Sequence, residues 1–354
     1  MPRIPVALPL LRSVATLLLS ARDVTALLPM TECIEVMSDA MRALADGRGV
    51  FPLRQMMRIP GTPNVFALMP GYLEADQGAD GVARDGVIGA KVLTIFPGNQ
   101  ASAYDAHGGV VLLFDDVHGR LLAVLDATSI TALRTAAVSA LATRLLARED
   151  AHVLALLGAG VQAMSHLEGM LCVRRIDDVR VWSRAGERAR EFAKSASRRF
   201  GIAVRVMPSA RQAVEGADII CTVTASRGPV LEGAWIADGA HINAVGAHTP
   251  DTRELDSAAV KRSRVYVDRR EAALTEAGDI LIPLQAGEIS ESHIRGDLGD
   301  LVAERLRARQ LESEVTLFKS LGLAVQDLAA ARTIVAKARS MEAGMHVDLG
   351  QREG

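Results

Sequence analysis

The chain has 354 residues, 49% of them hydrophobic and 23% charged, with a formal net charge of −2. That length exceeds what one hydrophobic core usually spans, so two domains are expected. The near-neutral balance excludes an electrostatic case for nucleic acid or an anionic membrane and leaves small molecules as the expected partners.

The opening MPRIPVALPLLRSVATLLLS is apolar but broken by Pro5, Pro9 and Arg12. Without a small-residue cleavage site it reads as an N-terminal extension, assigned to residues 1–16. No stretch reaches the roughly 18 uninterrupted apolar residues of a membrane helix. From residue 17 to 126 the spacing predicts a helix over TECIEVMSDAMRALADG, then strands at VFALMPGYL, VIGAKVLTIF, GVVLLFD and LLAVLD. Successive strands with short turns imply an antiparallel or mixed sheet in an α+β unit. ITALRTAAVSALATRLLARED reads as one long Ala- and Leu-rich helix bridging two units.

From Ala151 the rhythm changes to alternating strands (VLALLG, VRVWSR, AVRVM, DIICTVT, HINAVG, RVYVD) and helices such as ERAREFAKSASRRF. That alternation implies a parallel sheet with helical crossovers. Residues 87–89 and 278–299 read as loop-rich connections. EVTLFKSLGLAVQDLAAARTIVAKARSME predicts a short strand and a long helix with Leu321, Val325, Leu328 and Ala329 at helical spacing. Packed back on the first unit, that helix makes the first domain discontinuous, 17–145 with 321–354, around a second domain over 146–320. Cys33, Cys172 and Cys221 stand far apart with no CxxC pair. Neither a disulfide framework nor a metal site is expected, and a reducing cytoplasm fits.

VLALLGAGVQAMSHLEGM sets Gly158, Gly160 and Ala163 in a G-x-G-x-x-A pattern after an apolar strand and before a helix. The first Gly permits the tight turn and the second lets backbone approach a pyrophosphate. The small third residue lets helix and strand pack closely. The expectation is an α/β fold with a Rossmann-type doubly wound parallel sheet. The second strand ends in Ser183 and Arg184 where an NAD site usually has an acid, and Asp177 and Asp178 lie at its other end. A hydroxyl followed by a guanidinium suits a 2′-phosphate, so NADPH is preferred and NADH is the alternative.

In the first unit Arg54 (FPLRQ), Lys91 (GAKVLTIFPGN) and Arg134 (TALRTAA) sit in apolar or turn-like surroundings. Buried cations need anionic partners, and a substrate carboxylate between the domains would serve. Two arginines can clamp a carboxylate while a lysine of lowered pKa moves a proton. Taken singly, Arg54 and Arg134 also read as structural ion pairs, Lys91 as a snorkelling side chain, and His107 as a turn residue or a substrate contact.

ALMPGYL, GAKVLTIFPGN, LLAVLDATSITALRTAAVSALATRLLA, LLGAGVQA, GADIICTVT, HINAVGAHTPDTRELD and TLFKSLGLAVQDLAAA follow one another in an order that resembles the ornithine cyclodeaminase/mu-crystallin family. The resemblance implies a homodimer. It places Arg54, Lys91 and Arg134 at substrate and catalytic positions. It gives Thr135, Gly158, Ala159, Gly160, Val161, Gln162, Ala163, Ser183, Arg184, Thr222, Val223, Ala244, Val245 and Ser320 to the cofactor. Family cyclodeaminases carry an aspartate where this sequence has His248, and an acid where it has Ser183 and Arg184. GAHTPDTREL instead resembles the ketimine reductase branch, which implies reduction of 1-pyrroline-2-carboxylate to L-proline and of its six-membered homologue to L-pipecolate. His248 becomes a candidate for contacting the ring or relaying a proton. Ornithine cyclodeamination, reductive amination of pyruvate to alanine, and non-enzymatic binding of a small ligand are the rival readings.

Overall fold

The structure is a computed structural model that describes residues 15–78, 81–101, 104 and 106–349. Residues 1–14 of the expected N-terminal extension lie outside the described residues; Thr16 already belongs to a strand, β1 (Thr16–Leu19). Ser20 then caps α1 (Ala21–Leu27) in a reciprocal pair with Asp23. α2 (Met30–Ala45) buries one side, including Cys33, Met37 and Met41. There follow β2 (Gly49–Val50), β3 (Gln55–Arg58), β4 (Val65–Leu73), a small hairpin of β5 (Asp76–Gln77) and β6 (Ala83–Arg84), β7 (Val87–Ile95), β8 (His107–Asp115) and β9 (Leu121–Asp126). α3 (Ala127–Leu146), capped by Asp126, packs between α2 and α4 (Val161–Val173) and is buried on nearly every side.

Strand and helix then alternate: β10 (Val153–Leu157), α4, β11 (Asp178–Trp182), α5 (Gly186–Phe200), β12 (Val204–Val206), α6 (Ala210–Val214), β13 (Ile219–Thr222), β14 (His241–Ala244), α7 (Ser257–Lys261), β15 (Ser263–Val267), α8 (Arg270–Glu276), α9 (Gly278–Gln285), β16 (Ile294–Asp297), α10 (Leu298–Val302) and β17 (Val315–Lys319). The chain returns through α11 (Ala324–Ser340) to β18 (Met345–Val347).

The first sheet runs β18-β1-β9-β8-β7-β4-β2, with β3 also on β4. It is mixed, because β1 pairs parallel with β9 while the other neighbours are antiparallel. The second runs β12-β11-β10-β13-β14-β17-β15-β16 and is parallel throughout. Its order turns back on either side of β10, the arrangement that opens a crevice at the carboxyl ends of the strands. α11 packs on α2, β4, β7 and β8, so a helix that follows the second sheet in sequence completes the core of the first.

Two expected loops are ordered elements. Residues 87–89 open β7: Val87 is buried, and a Cβ on Gly89 would meet the Leu112 carbonyl oxygen and a Leu328 methyl at 2.5 Å. The glycine marks a close approach, not a turn. Residues 278–299 hold α9 and β16 and enter α10; Gly278, Pro283 and Gly287 read as breakers, but burial of Ile280, Leu281 and Pro283 wins.

Candidate active site

β10 ends at Leu157 and passes straight into Gly158, which has φ +122° and donates its N–H to the Trp182 carbonyl at 2.8 Å. A Cβ at Gly158 would lie 2.6 Å from the Val223 carbonyl oxygen, so the crossing is built for glycine. After Ala159, Gly160 caps α4, and nothing lies within 4 Å of where its Cβ would be. Val161 is largely exposed on the first turn, whereas Ala163 is fully buried. The α4 N-terminus therefore opens onto space that bare backbone can share with a phosphate.

Around this opening, Gln162 Oε1, Thr222 Oγ1 and Ser320 Oγ are buried with no hydrogen-bond partner among the described residues. Such orphans call for a ligand or water. Val223 and Val245 are half-buried, Ala244 is buried beside Thr222, and Thr135 is buried on α3. A dinucleotide fits this set. Ser183 is half-buried and Arg184 exposed just beyond β11. Asp178 begins β11, where Arg180 Nε and Arg205 Nε each donate to it at 2.9 Å, so its carboxylate is engaged at the far end of the strand.

The cations of the other sheet converge. The alternation that buries Val87 and Gly89 puts Lys91 into the core as well, 4% exposed, opposite Met69 and Val111. Its Nζ donates to Thr131 Oγ1 at 2.5 Å and to Asp327 Oδ1 at 3.3 Å. Arg134, one turn beyond Thr131 on α3, donates from Nε to the same Asp327 oxygen at 3.0 Å and from Nη1 to Gln326 Oε1 at 2.8 Å. Arg54 lies 2.8 Å from Glu276 through Nε, and its Nη2 donates to the carbonyls of Leu321 (2.7 Å) and Gly322 (3.2 Å). Nη1 of Arg54 and Nη2 of Arg134 donate to nothing among the described residues, and an ammonium has a third N–H to give. Those spare donors are what an incoming carboxylate needs.

Burial, then Arg134 and Arg54, push the Lys91 pKa down against the upward pull of Asp327, to about 8. His248 Nδ1 lies 3.1 Å from the Gly246 carbonyl oxygen. A carbonyl only accepts, so this nitrogen carries the proton and Nε2 is left as an acceptor. Burial, with Arg54 nearby, lowers its pKa to about 4, so the ring is neutral at neutral pH. His107 opens β8 with much of its surface in solvent; crowding around the ring, then Lys91, lower its pKa. Arg54 acts on both Lys91 and His248, Lys91 on His107, and His107 on His248, so the four groups lie within electrostatic reach of one another at the candidate cleft.

Several residues that shape this cleft are absent from the sequence reading. Thr131, Glu276, Gln326 and Asp327 hold the cations. Asp268 Oδ2 accepts the N–H groups of Leu321 (2.7 Å) and Gly322 (2.8 Å), the turn that carries the Arg54 contacts. Fully buried Lys319 donates to the Ala247 carbonyl at 2.5 Å and pairs with Asp279 at 2.9 Å. Glu254 accepts the Gly246 N–H at 2.6 Å. The Lys319 and Glu254 contacts fix the turn that presents His248. A lysine closing the apolar strand VTLFK carries the same signal that singles out Lys91.

The model of the ornithine cyclodeaminase/mu-crystallin family matches residues 14–342. The chain belongs to that family. Among its members, the ketimine reductase mu-crystallin of Rattus norvegicus is 42% identical over 289 residues, covering 82% of this chain and 85% of the rat protein. The structure of the Thermococcus litoralis Δ1-pyrroline-2-carboxylate reductase, in complex with NADH and L-proline, superposes with a TM-score of 0.89 at 38% identity, covering 94% of this chain and all of that one. An archaeal alanine dehydrogenase dimer with bound NAD follows at a TM-score of 0.87 and 30% identity, covering 95% and 99%. Both matched structures extend over the two sheets.

Proposed function

We propose that this protein is an NAD(P)H-dependent oxidoreductase that reduces the C=N bond of a cyclic ketimine, taking 1-pyrroline-2-carboxylate to L-proline and 1-piperideine-2-carboxylate to L-pipecolate. The observation that carries the reading is the meeting of spare cationic donors on Arg54, Arg134 and Lys91 with a dinucleotide crevice. Arg54 and Arg134 hold the ring carboxylate and so place C2 of the ring against the nicotinamide. Bound NAD(P)H supplies the hydride that C2 receives. Lys91 Nζ gives the ring nitrogen its proton, so one hydride and one proton turn C=N into CH–NH. His248, neutral with Nε2 as acceptor, receives the ring N–H, and His107 borders the substrate. Mixing the purified protein with NADPH and either cyclic imine tests this reading; no cofactor oxidation with either imine sinks it.

Gly158 through Ala163, Thr135, Thr222, Val223, Ala244, Val245 and Ser320 form the cofactor cradle, with Ser183 and Arg184 at the adenosine ribose. NADPH is the preferred cofactor because a guanidinium stands where a ribose-binding carboxylate would repel a 2′-phosphate. Arg184→Ala is expected to weaken NADPH about tenfold or more and leave NADH nearly unchanged, read as KM for each cofactor; equal losses for both would contradict the assignment.

The division into 17–145 with 321–354 and 146–320 belongs to the same reading, as does a homodimer. The side of the first sheet away from α11 carries Leu18, Phe66 and Ile88, each more than a third exposed, and such an apolar face suits a second copy of the chain. Light scattering at twice the 37.7 kDa chain mass is the expected result. The three free cysteines accord with a cytoplasmic location. Among the described residues no helix is long and apolar enough to cross a membrane.

The rivals divide at His248. A carboxylate there would hold the side-chain ammonium of ornithine, which a neutral imidazole with one free acceptor does far less well. Pyruvate with ammonia lacks the ring that the Arg54–Arg134 clamp and His248 enclose.

A further inference from the structure

We propose that Asp327 is a positioning residue of this reaction: with one oxygen it ties the Lys91 ammonium to the Arg134 guanidinium, so that proton donor and carboxylate clamp move as one unit. The inference rests on the ketimine reductase reading and deepens it.

Asp327 Oδ1 accepts from Lys91 Nζ at 3.3 Å and from Arg134 Nε at 3.0 Å, and its side chain is 1% exposed. Among the described residues it is the single carboxylate that touches either cation. Two buried like charges this close repel each other, and each loses its hydration; an anion between them offsets both costs. A second buried Lys–Asp pair holds one cation and leaves no guanidinium donor to spare. Lys319 is fully enclosed, and Asp279 spends its other oxygen on the N–H groups of Glu254 (2.8 Å) and Leu255 (3.0 Å). In the Lys91–Asp327–Arg134 group the bonding is unfinished. Asp327 Oδ2, like Asp279 Oδ2, is buried without a hydrogen-bond partner, but Asp327 also joins a second cation, Arg134, whose Nη2 is unused among the described residues. An open array of this kind is worth its desolvation cost where a ligand completes it.

The charged and titratable groups that face Lys91 are Asp327 from α11, Arg134 from α3, Arg54 from the segment before β3 and His107 from β8. On the other side of Arg134, α2 contributes the buried Cys33 thiol, with Glu32 beside it. Of these, Asp327 alone pulls the Lys91 pKa upward. Removing its charge leaves burial, Arg134 and Arg54 unopposed, so Lys91 gives up its proton at lower pH.

The test follows kcat, KM and the pH profile of kcat/KM for imine reduction in the wild type, Asp327→Asn and Asp327→Glu, with thermal melts as the fold control. In Asp327→Asn the alkaline limb should move down by about one pH unit or more, and kcat at neutral pH should fall about tenfold or more. The KM for NADPH should stay within about twofold, since the cofactor cradle is elsewhere. Asp327→Glu keeps the charge but misplaces it: its limb should stay at the wild-type pH while kcat falls. If Asp327→Asn melts below the assay temperature, the Glu variant decides, and a displaced limb there overturns the proposal. An unmoved limb in a folded Asn variant, with wild-type kcat, also overturns it. Failure of the wild type to reduce either imine would instead remove the parent reading.

Discussion

Lys91→Met is expected to lower kcat for imine reduction by about 10²- to 10⁴-fold, the usual contribution of a placed proton donor. Methionine nearly matches the lysine stem in volume and suits a position that is 4% exposed on the core side of β7. Asp327 keeps Arg134 as its partner, so no buried carboxylate is stranded and the fold should persist. NADPH binding, followed by quenching of its fluorescence or by calorimetry, should be unchanged. The wild-type profile should carry the same group's signature: with a Lys91 pKa of about 8, kcat/KM is full below that pH and falls above it as the ammonium is lost. A Lys91→Met enzyme with wild-type kcat would show that the proton comes from elsewhere.

Gly322→Ala should be nearly as damaging through geometry alone. Gly322 has φ +82°, and a Cβ there would lie 2.3 Å from Arg134 Nη1 and 2.6 Å from Nη2. The guanidinium has no easy retreat, because Asp327 and Gln326 already hold it. The same turn gives its carbonyls to Arg54 and its N–H groups to Asp268. One methyl group therefore disturbs both arginines of the proposed carboxylate clamp. We expect kcat/KM for the imine to fall about 10²-fold, the cost of misplacing reacting groups by about an ångström. Stability should drop by about 1–3 kcal/mol. Gly216, with φ +70° and nothing within 4 Å of a Cβ, is the control: Gly216→Ala should cost stability and leave kcat/KM intact. Equal kinetics in the two variants would separate the turn from the site.

What was legible in the sequence was local. The strands at 65–73, 109–115 and 121–126 announce themselves as short apolar runs bounded by turn residues, and G-x-G-x-x-A declares a strand, turn and helix within a few residues. Lys91 and Arg134 stand out because a cation in an apolar run demands an explanation nearby. Asp327 gives no such signal. An acid in the first turn of a helix is ordinary, favoured by the helix dipole, and its partner Lys91 lies 236 residues away in sequence. Their contact exists because α11 returns across the first sheet, a consequence of topology that periodicity does not contain. The misreading of 278–299 has the converse cause. Gly278, Pro283 and Gly287 are local breakers, and the burial that overrides them is tertiary. His248 lies between these cases: its place after β14 could be read, whereas its neutral state depends on burial and on Arg54 arriving from the other unit.

The most direct measurement of the proposed chemistry supplies 1-pyrroline-2-carboxylate with NADPH carrying deuterium at nicotinamide C4 and follows the label. The account predicts one cofactor oxidised per L-proline formed, with the label at the proline α-carbon when the transferred position is deuterated. Formation of proline from ornithine without net cofactor consumption, together with no label transfer from the cyclic imine reaction, would contradict it.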